Sequence, residues 1–204
     1  MDRIRELIEE IRQFGVQNDV PIMSVESIDT INKIINENEI HSILEIGTAI
    51  AYSTICFASN ENIERITSIE RDDVREKIAI SNVEKSGLKN ITLIHDDALN
   101  TEIDEKFDLV IIDAAKSQNT KFFHKYKNNL TENGIMIIDN LEFHGYVGKS
   151  KEIKSRNLRQ MVRKIEKFLE FLDTQEEYSV EYIEVGDRLG ICKKKWLYYQ
   201  IKKN

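Results

Sequence analysis

Short apolar segments alternate with amphipathic segments along most of this chain, and this alternation constrains the fold more than any other feature. The apolar segments are rich in β-branched residues and have the length of buried strands. The predicted strands are Ser42–Ile46, Ile66–Ile69, Ile91–His95, Leu109–Ile112, Ile135–Ile138, Val180–Val185 and Leu189–Lys193. The amphipathic segments predict helices at Asp2–Phe14, Val25–Asn38, Tyr52–Ser59, Asp72–Ser86, Asn119–Asn129 and Arg156–Leu172.

This order of elements predicts an α/β fold with a seven-stranded, mostly parallel sheet and helices on both faces. Strands that alternate with helices pair in parallel, because each helix returns the chain to the starting edge. The last two strands are joined only by Gly186-Asp187-Arg188, so they must form a hairpin and one strand must run antiparallel. The 204 residues, 41% of them apolar, suffice for one such core. We expect a single domain over 1–204, with N-terminal helices in 1–40 and the core in 41–204.

Composition argues against several classes of protein. The chain has no run of about 18 apolar residues, and its N-terminus is charged rather than signal-like, so we expect a cytoplasmic protein without a membrane span. Cys56 and Cys192 lie in apolar stretches without metal-ligand spacing. They are therefore predicted to be reduced, buried thiols rather than a disulfide or part of a zinc site.

One segment departs from the acidic character of the chain. The net charge is −7, yet Lys149–Lys167 contains eight Lys or Arg residues against two Glu. This segment carries +6, and the remainder carries −13. A basic face on an acidic protein can attract a polyanion to one place, but a solvated helix face gives the same pattern, and charge alone favours the solvated face.

The first two predicted strands end in residues that suit a nucleoside, because open parallel sheets bind ligands at the carboxyl ends of their strands. A turn of small residues in Glu45–Ser53 follows the first strand and lets a ligand approach the backbone. Glu70 ends the second strand, where a carboxylate can accept both hydroxyls of a ribose, although an ordinary exposed carboxylate is the alternative. Because no G-x-G-x-x-G motif is present, S-adenosylmethionine fits this edge better than a dinucleotide.

The next three strand ends carry acidic or amide side chains. Asp96-Asp97-Ala98 follow the third strand, where a carboxylate could hold an adenine amino group beside Ala98, although capping aspartates explain the string nearly as well. Asp113 ends the fourth strand and Asp139-Asn140 end the fifth. Two carboxylates and an amide oxygen at neighbouring strand ends suit Mg²⁺ or a similar hard cation. Each residue taken alone could also be a turn former.

These residues stand in strings that resemble a known family, the metal-dependent class I O-methyltransferases related to catechol and caffeoyl-CoA methyltransferases. The strings are SILEIGTA at Ser42–Ala49, IIDAAK at Ile111–Lys116 and GIMIIDN at Gly134–Asn140. The resemblance covers nearly the whole chain and implies a Rossmann-like class I methyltransferase fold. A narrower resemblance, to the bacterial branch that converts 5-hydroxyuridine to 5-methoxyuridine at the wobble position of transfer RNA, rests on Val20–Met23, Asp113–Gln118 and Val185–Leu189.

The resemblance implies roles for individual residues. Contacts to S-adenosylmethionine would come from Met23, Glu45, Gly47, Ser53, Glu70, Ala98 and Asp113. The Mg²⁺ ligands would be Asp113, Asp139 and Asn140, and the catalytic pair would be Lys116, as the base, with Asp113. A core methionine is the alternative for Met23, and a solvated surface lysine is the alternative for Lys116.

The resemblance also leaves one departure and one expectation about assembly. Ala51 stands where most relatives have a second glycine, and its methyl group could crowd the cofactor or alter the turn. Relatives commonly pair, so a homodimer is expected by analogy.

Two classes of acceptor are open, because 5-hydroxyuridine and catechol both offer a metal two adjacent oxygens. The basic segment favours transfer RNA, since aromatic residues of Phe143–Gly148 could stack on a base while cations contact the backbone. The candidate phosphate contacts are Arg156, Arg159, Arg163 and Lys164. We therefore expect a transfer RNA substrate, with a small catechol- or caffeoyl-type phenol as the alternative. A partner protein that binds S-adenosylmethionine without catalysis agrees less well with a complete set of candidate catalytic residues.

Overall fold

The computed structural model describes residues 2–195, so Met1 and residues 196–204 of the expected domain lie outside the described part. The strands are β1 (Ser42–Ile46), β2 (Arg65–Glu70), β3 (Ile91–His95), β4 (Phe107–Ile112), β5 (Leu130–Ile138), β6 (Tyr178–Ile183) and β7 (Leu189–Lys194). The helices are α1 (Asp2–Gln17), α2 (Val25–Glu37), α3 (Tyr52–Ala58), α4 (Asp73–Ser86), α5 (Asn119–Tyr126) and α6 (Arg156–Asp173). Short 3₁₀ turns at Lys116–Gln118 and Lys127–Asn129 flank α5.

All seven strands form one sheet in the order β3-β2-β1-β4-β5-β7-β6. The first five strands pair in parallel. β7 lies between β5 and β6 and runs antiparallel to both. The prediction of a mostly parallel sheet with one antiparallel strand is therefore confirmed.

Three of the element boundaries that differ from the prediction have local reasons. β5 begins at Leu130 rather than Ile135. Residues 131–133 are polar and partly exposed, so the apolar pattern that predicted the strand starts later than the strand itself. β6 covers Tyr178–Ile183 rather than Val180–Val185, because the Val185 N–H bonds the Ile183 carbonyl oxygen at 2.9 Å in a tight turn. The helix predicted to reach Asn129 ends at Tyr126 and continues as a 3₁₀ turn.

Helices cover both faces of the sheet, as predicted, and create two apolar layers. α1, α2, α3 and α4 bury the face that carries Ile43, whereas α5 and α6 bury the face that carries Leu44 and Ile46. On the second face Phe123 and Phe168 pack edge to face, with ring centroids 6.5 Å apart. β1 is therefore buried on both sides, which explains its continuous apolar character.

The cysteine prediction is confirmed, because both thiols are free and buried. Burial raises the pKa of the Cys56 thiol and of the Cys192 thiol to about 12. Within residues 2–195, no helix has the length and apolar character needed to cross a membrane.

The strand order reverses next to β1, and this reversal creates the crevice that the sequence predicted. From β1 the chain adds β2 and β3 on one side, then returns to add β4 on the other. Gly47 follows β1 with a φ of +107°, and a Cβ atom at this position would lie 2.3 Å from the Asp113 carbonyl oxygen. The loops after β1 and β4 thus touch backbone to backbone at the switch point, where α/β sheets bind ligands.

Gly47→Ala should therefore lower the free energy of unfolding more than Gly87→Ala in urea titrations without ligand. Gly87 has a φ of +70° and open space around its Cβ position, so its alanine costs only left-handed backbone strain of about 1–2 kcal/mol. Alanine at Gly47 adds a clash with backbone that must move. Equal losses from the two variants would contradict the close approach.

Candidate active site

A cavity of about 350 Å³ opens at the carboxyl ends of the parallel strands. Its size is typical of a small-molecule pocket. The predicted residues that line it are Met23, Gly47, Ser53, Glu70, Asp96, Asp97, Ala98, Asp113, Lys116, Asp139 and Asn140. The structure therefore brings to one cavity almost all of the residues predicted to contact the methyl donor or to bind the metal.

Backbone hydrogen bonds fix the turn between β1 and α3. The Gly47 and Thr48 N–H groups donate to the Ile69 carbonyl oxygen at 3.0 and 3.2 Å, and Asn82 Nδ2 donates to the Ile50 carbonyl oxygen at 2.9 Å. Ala51 has a φ of +64° and its side chain packs in the core rather than lining the cavity. Its methyl group therefore does not crowd the cavity, and its effect is confined to a backbone conformation that glycine adopts with less strain.

Glu45 does not line the cavity, although the family resemblance implied a contact to the methyl donor. Its carboxylate is fully buried and accepts hydrogen bonds from Ser53 Oγ at 2.6 Å, Thr54 Oγ1 at 2.5 Å and Ser68 Oγ at 2.5 Å. Burial raises the pKa of Glu45, and the hydroxyl donors oppose this effect. The carboxylate thus links β1, α3 and β2. The Ser53 hydroxyl donates its proton to Glu45 and cannot donate it to a ligand at the same time.

Glu70 lies at the end of β2 and lines the cavity, as predicted. Its Oε2 accepts the Ala49 N–H at 2.8 Å, and its Oε1 accepts the N–H groups of Arg71 and Asp72 at 3.0 and 2.9 Å. A carboxylate has about four lone-pair sites, so these three bonds leave about one acceptor site for a hydroxyl of a ligand. Glu70 can therefore shape the turn and still bind a ribose.

The loop after β3 contains a capping aspartate that also lines the cavity. Asp97 Oδ1 accepts the Leu99 N–H at 2.9 Å, and Asp97 Oδ2 lies 3.2 Å from Arg71 Nη1. These two contacts, with the backbone hydrogen bond first, lower the pKa of Asp97. Tyr126 Oη donates to the Ala98 carbonyl oxygen at 2.5 Å. Asp97 is thus a capping residue that also lines the cavity beside a fixed Ala98.

Asp113, Asp139 and Asn140 meet at the ends of the adjacent strands β4 and β5. Asp139 Oδ1 and Asn140 Oδ1 are buried and accept no hydrogen bond within the described chain. Burial and then the charge of Asp113 raise the pKa of Asp139 to about 7. No group of three or more His, Cys, Asp or Glu residues between 2 and 195 is arranged to hold a metal, and this set contains two carboxylates and an amide. Orphaned buried oxygens beside repelling carboxylates fit a hard cation.

Lys116 lies against these residues rather than in solvent. Its Nζ is 2.5 Å from Asp113 Oδ1 and 3.4 Å from the Asp139 carbonyl oxygen. The 3₁₀ turn that follows β4 directs the side chain inward, and only 11% of it is exposed. The alternative of a solvated surface lysine is therefore excluded.

The cavity-lining residues outside the predicted site include Arg71, Arg75, Phe122 and Met161. The sequence could have indicated Arg71, because it directly follows Glu70 at the end of β2. Met161 belongs to the apolar stripe of α6, and a stripe alone cannot distinguish a core residue from one at the edge of a cavity. Met23 is 4% exposed and lines the cavity, so its core and ligand roles are compatible.

The predicted phosphate contacts divide into two groups on α6. Arg156, Arg163 and Lys164 are exposed, whereas Arg159 is partly buried. The Arg159 Nη1 donates to the Ile153 carbonyl oxygen at 3.2 Å. Arg159 therefore holds the preceding loop, and the other three form the exposed basic face of α6.

Glu45→Ala should cost about 3 kcal/mol or more of unfolding free energy in urea, because three buried hydroxyls lose their acceptor at about 1–3 kcal/mol each. Glu45→Gln keeps the volume and one carbonyl oxygen, so it should lose less. Both measurements are made without ligand. Unchanged stability together with weaker binding of the methyl donor would show that Glu45 is a ligand contact instead.

Comparison with known proteins agrees with this architecture. The profile of the O-methyltransferase family matches residues 2–195. A protein of Arabidopsis thaliana named for caffeoyl-CoA O-methyltransferase is 27% identical over 94% of this chain and 88% of its own length. A crystal structure from Staphylococcus aureus with the same name has a TM-score of 0.88 and 37% identity, and 92% of each chain is covered. An O-methyltransferase from Bacillus cereus in complex with SAH has a TM-score of 0.77 and 24% identity, with 93% and 91% covered. The fold is thus a Rossmann-like methyltransferase fold, and the chain belongs to the O-methyltransferase family.

Proposed function

We propose that this enzyme transfers a methyl group from S-adenosylmethionine to a hydroxyl oxygen of a small phenol of the caffeoyl type, with a divalent cation such as Mg²⁺ held by Asp113, Asp139 and Asn140. The observation that carries the proposal is the pair of buried oxygens on Asp139 and Asn140 that have no partner in the described chain, in residues that line the same cavity as Lys116. The names of the Arabidopsis and Staphylococcus relatives support this acceptor class. They give no support to transfer RNA, which the sequence favoured.

The methyl donor would occupy the side of the cavity formed by the loops after β1, β2 and β3. Gly47 allows close approach to the backbone, Glu70 keeps acceptor capacity for a ribose, and Ala98 lines the wall next to Asp97. The Bacillus cereus relative is in complex with SAH, the demethylated form of this donor, which supports a donor site in the same fold.

As a neutral amine, Lys116 would accept the proton of the acceptor hydroxyl at Nζ, and Asp113 would pair with the resulting ammonium. A divalent cation would supply positive charge that stabilises the acceptor oxyanion. As the new C–O bond forms, the methyl–sulfur bond of the donor breaks, and the sulfur leaves as a neutral thioether without an acid. Asp113 orients Lys116 through their contact at 2.5 Å, so the base and the candidate cation ligands act as one unit.

Asp139→Asn should reduce methyl transfer to a catechol by at least about a hundredfold at saturating Mg²⁺, because it removes one of two charged ligands at nearly constant volume. The affinity for S-adenosylmethionine, measured by calorimetry, should change little. Asp173→Asn serves as the control, because this exposed carboxylate accepts the Tyr182 hydroxyl and neither residue lines the cavity. A rate near that of the wild type would overturn the cation assignment.

Transfer RNA is the second candidate, and the exposed basic face of α6 is the observation that favours it. Phosphates of a coenzyme A thioester could use the same cations, so the face indicates a phosphate-bearing acceptor without fixing its size. Assays with three methyl acceptors distinguish the two candidate substrate classes: a free catechol, a phenolic coenzyme A thioester and transfer RNA that contains 5-hydroxyuridine.

We expect methylation of the two phenols and a rate on transfer RNA at background. The triple variant Arg156→Gln, Arg163→Gln, Lys164→Gln should leave the free catechol rate unchanged, because these exposed side chains lie outside the cavity lining. Efficient methylation of transfer RNA would reverse the order of the two candidates. In that case the triple variant should flatten the log–log salt dependence of RNA binding by about 0.7–0.9 for each lost phosphate contact.

A further inference from the structure

The loop that follows Asn140 has a strained backbone that needs an external support. Asn140, Phe143 and His144 have φ values of +68°, +47° and +56°, and Gly145 and Gly148 are also left-handed. Left-handed backbone is sterically unfavourable for a residue with a Cβ atom. Such strain persists only where surrounding contacts determine the conformation.

The turn between β6 and β7 supplies these contacts. The Leu141 N–H donates to the Arg188 carbonyl oxygen at 3.0 Å, and the Glu142 N–H donates to the Asp187 carbonyl oxygen at 2.8 Å. The Asp187 carboxylate then binds His144 twice, accepting its backbone N–H at 3.2 Å and lying 2.9 Å from its Nδ1. Arg188 adds an ion pair with Glu142 at 3.6 Å.

The same turn touches the other side of the cavity through Gly186. A Cβ atom on Gly186 would lie 2.6 Å from Ser24 Oγ and 2.5 Å from Ser27 Oγ. Ser24 caps α2 and directly follows Met23, which lines the cavity. The β6–β7 turn therefore contacts both the segment next to Met23 and the loop that begins at Asn140.

We infer that the β6–β7 turn is a positioning device, with Asp187 as the positioning residue that holds the loop after Asn140 through His144. The consequence for the reaction rests on the proposed function, because it concerns the candidate cation ligands. When Asp187 binds His144, Asn140 keeps its left-handed conformation and its side-chain oxygen stays in the cavity wall. When that contact is absent, Leu141 and Glu142 keep their backbone bonds to the turn, but the strained residues Phe143 and His144 can relax, and this relaxation shifts the Asn140 oxygen.

The hairpin itself does not depend on the Asp187 side chain. Arg188 Nε lies 2.7 Å from Glu184 Oε1, and its guanidinium lies 5.2 Å from the centre of the Tyr182 ring. The Val185 carbonyl oxygen accepts the Arg188 N–H at 2.9 Å. Loss of the Asp187 charge should therefore release the loop without unfolding β6 and β7.

The test compares Asp187→Asn with the control Asp173→Asn, which makes the same chemical change next to β6 without touching the loop. Asp187→Asn should speed hydrogen exchange of the amides of residues 141–148 and weaken Mn²⁺ binding, measured by calorimetry, by about tenfold to a hundredfold. It should lower kcat for a catechol and leave the KM for S-adenosylmethionine unchanged. The control should change none of these quantities.

A double-mutant cycle then isolates the contact with His144. His144→Ala should reproduce the effects of Asp187→Asn, and the double variant should add little. Each change removes the contact between the Asp187 carboxylate and the His144 ring, whereas the backbone N–H of residue 144 keeps an oxygen acceptor in both variants. Unchanged exchange and Mn²⁺ affinity in Asp187→Asn, or fully additive effects in the double variant, would overturn the inference. If the wild type neither binds Mn²⁺ nor transfers methyl groups, the proposed function fails, while the exchange measurement still decides whether Asp187 holds the loop.

Discussion

The backbone contact between Gly47 and the Asp113 carbonyl oxygen is the constraint on which the site depends. The ladder of backbone hydrogen bonds continues past the strands, since Gly47 N–H binds the Ile69 carbonyl oxygen and Asp113 N–H binds the Ile46 carbonyl oxygen at 2.9 Å. Loops that would diverge in other sheets are therefore held together. This contact places the turn suited to a nucleoside directly beside the carboxylates suited to a cation, so one small cavity can serve two reaction partners.

Most of the fold and much of the candidate site could be predicted because both follow from periodicity. Alternating strands and helices determine a parallel sheet, and a parallel sheet gathers its strand ends at one edge. Asp113, Asp139 and Asn140 reach the cavity for this reason. Glu45 shows where the structure departs from the expectation: it shares the face of Ile43 on β1, its side chain binds α3, and it is not among the residues that line the cavity. The alternation of side chains along β1 carried that signal, and the family resemblance obscured it.

The interactions that the sequence could not reveal join residues far apart in the chain. Asp187 and His144 lie 43 positions apart, and no local pattern connects a hairpin turn to a loop after another strand. The position of Met161 at the cavity wall likewise depends on how α6 packs. The sequence does not determine the methyl acceptor either, because exposed cations on α6 are compatible with several phosphate-bearing molecules. Local patterns thus locate the chemistry, whereas tertiary contacts determine its geometry.

The position of the switch point has a consequence for how such an enzyme can diverge. The loops that suit the methyl donor belong to β1, β2 and β3, whereas the cation residues and the supported loop belong to β4, β5 and the final hairpin. The two halves meet at the boundary between β1 and β4. Insertions or substitutions beyond β5 can therefore alter the acceptor half while the donor half keeps its shape. In this architecture, new substrates can evolve by exchange of one edge of the molecule.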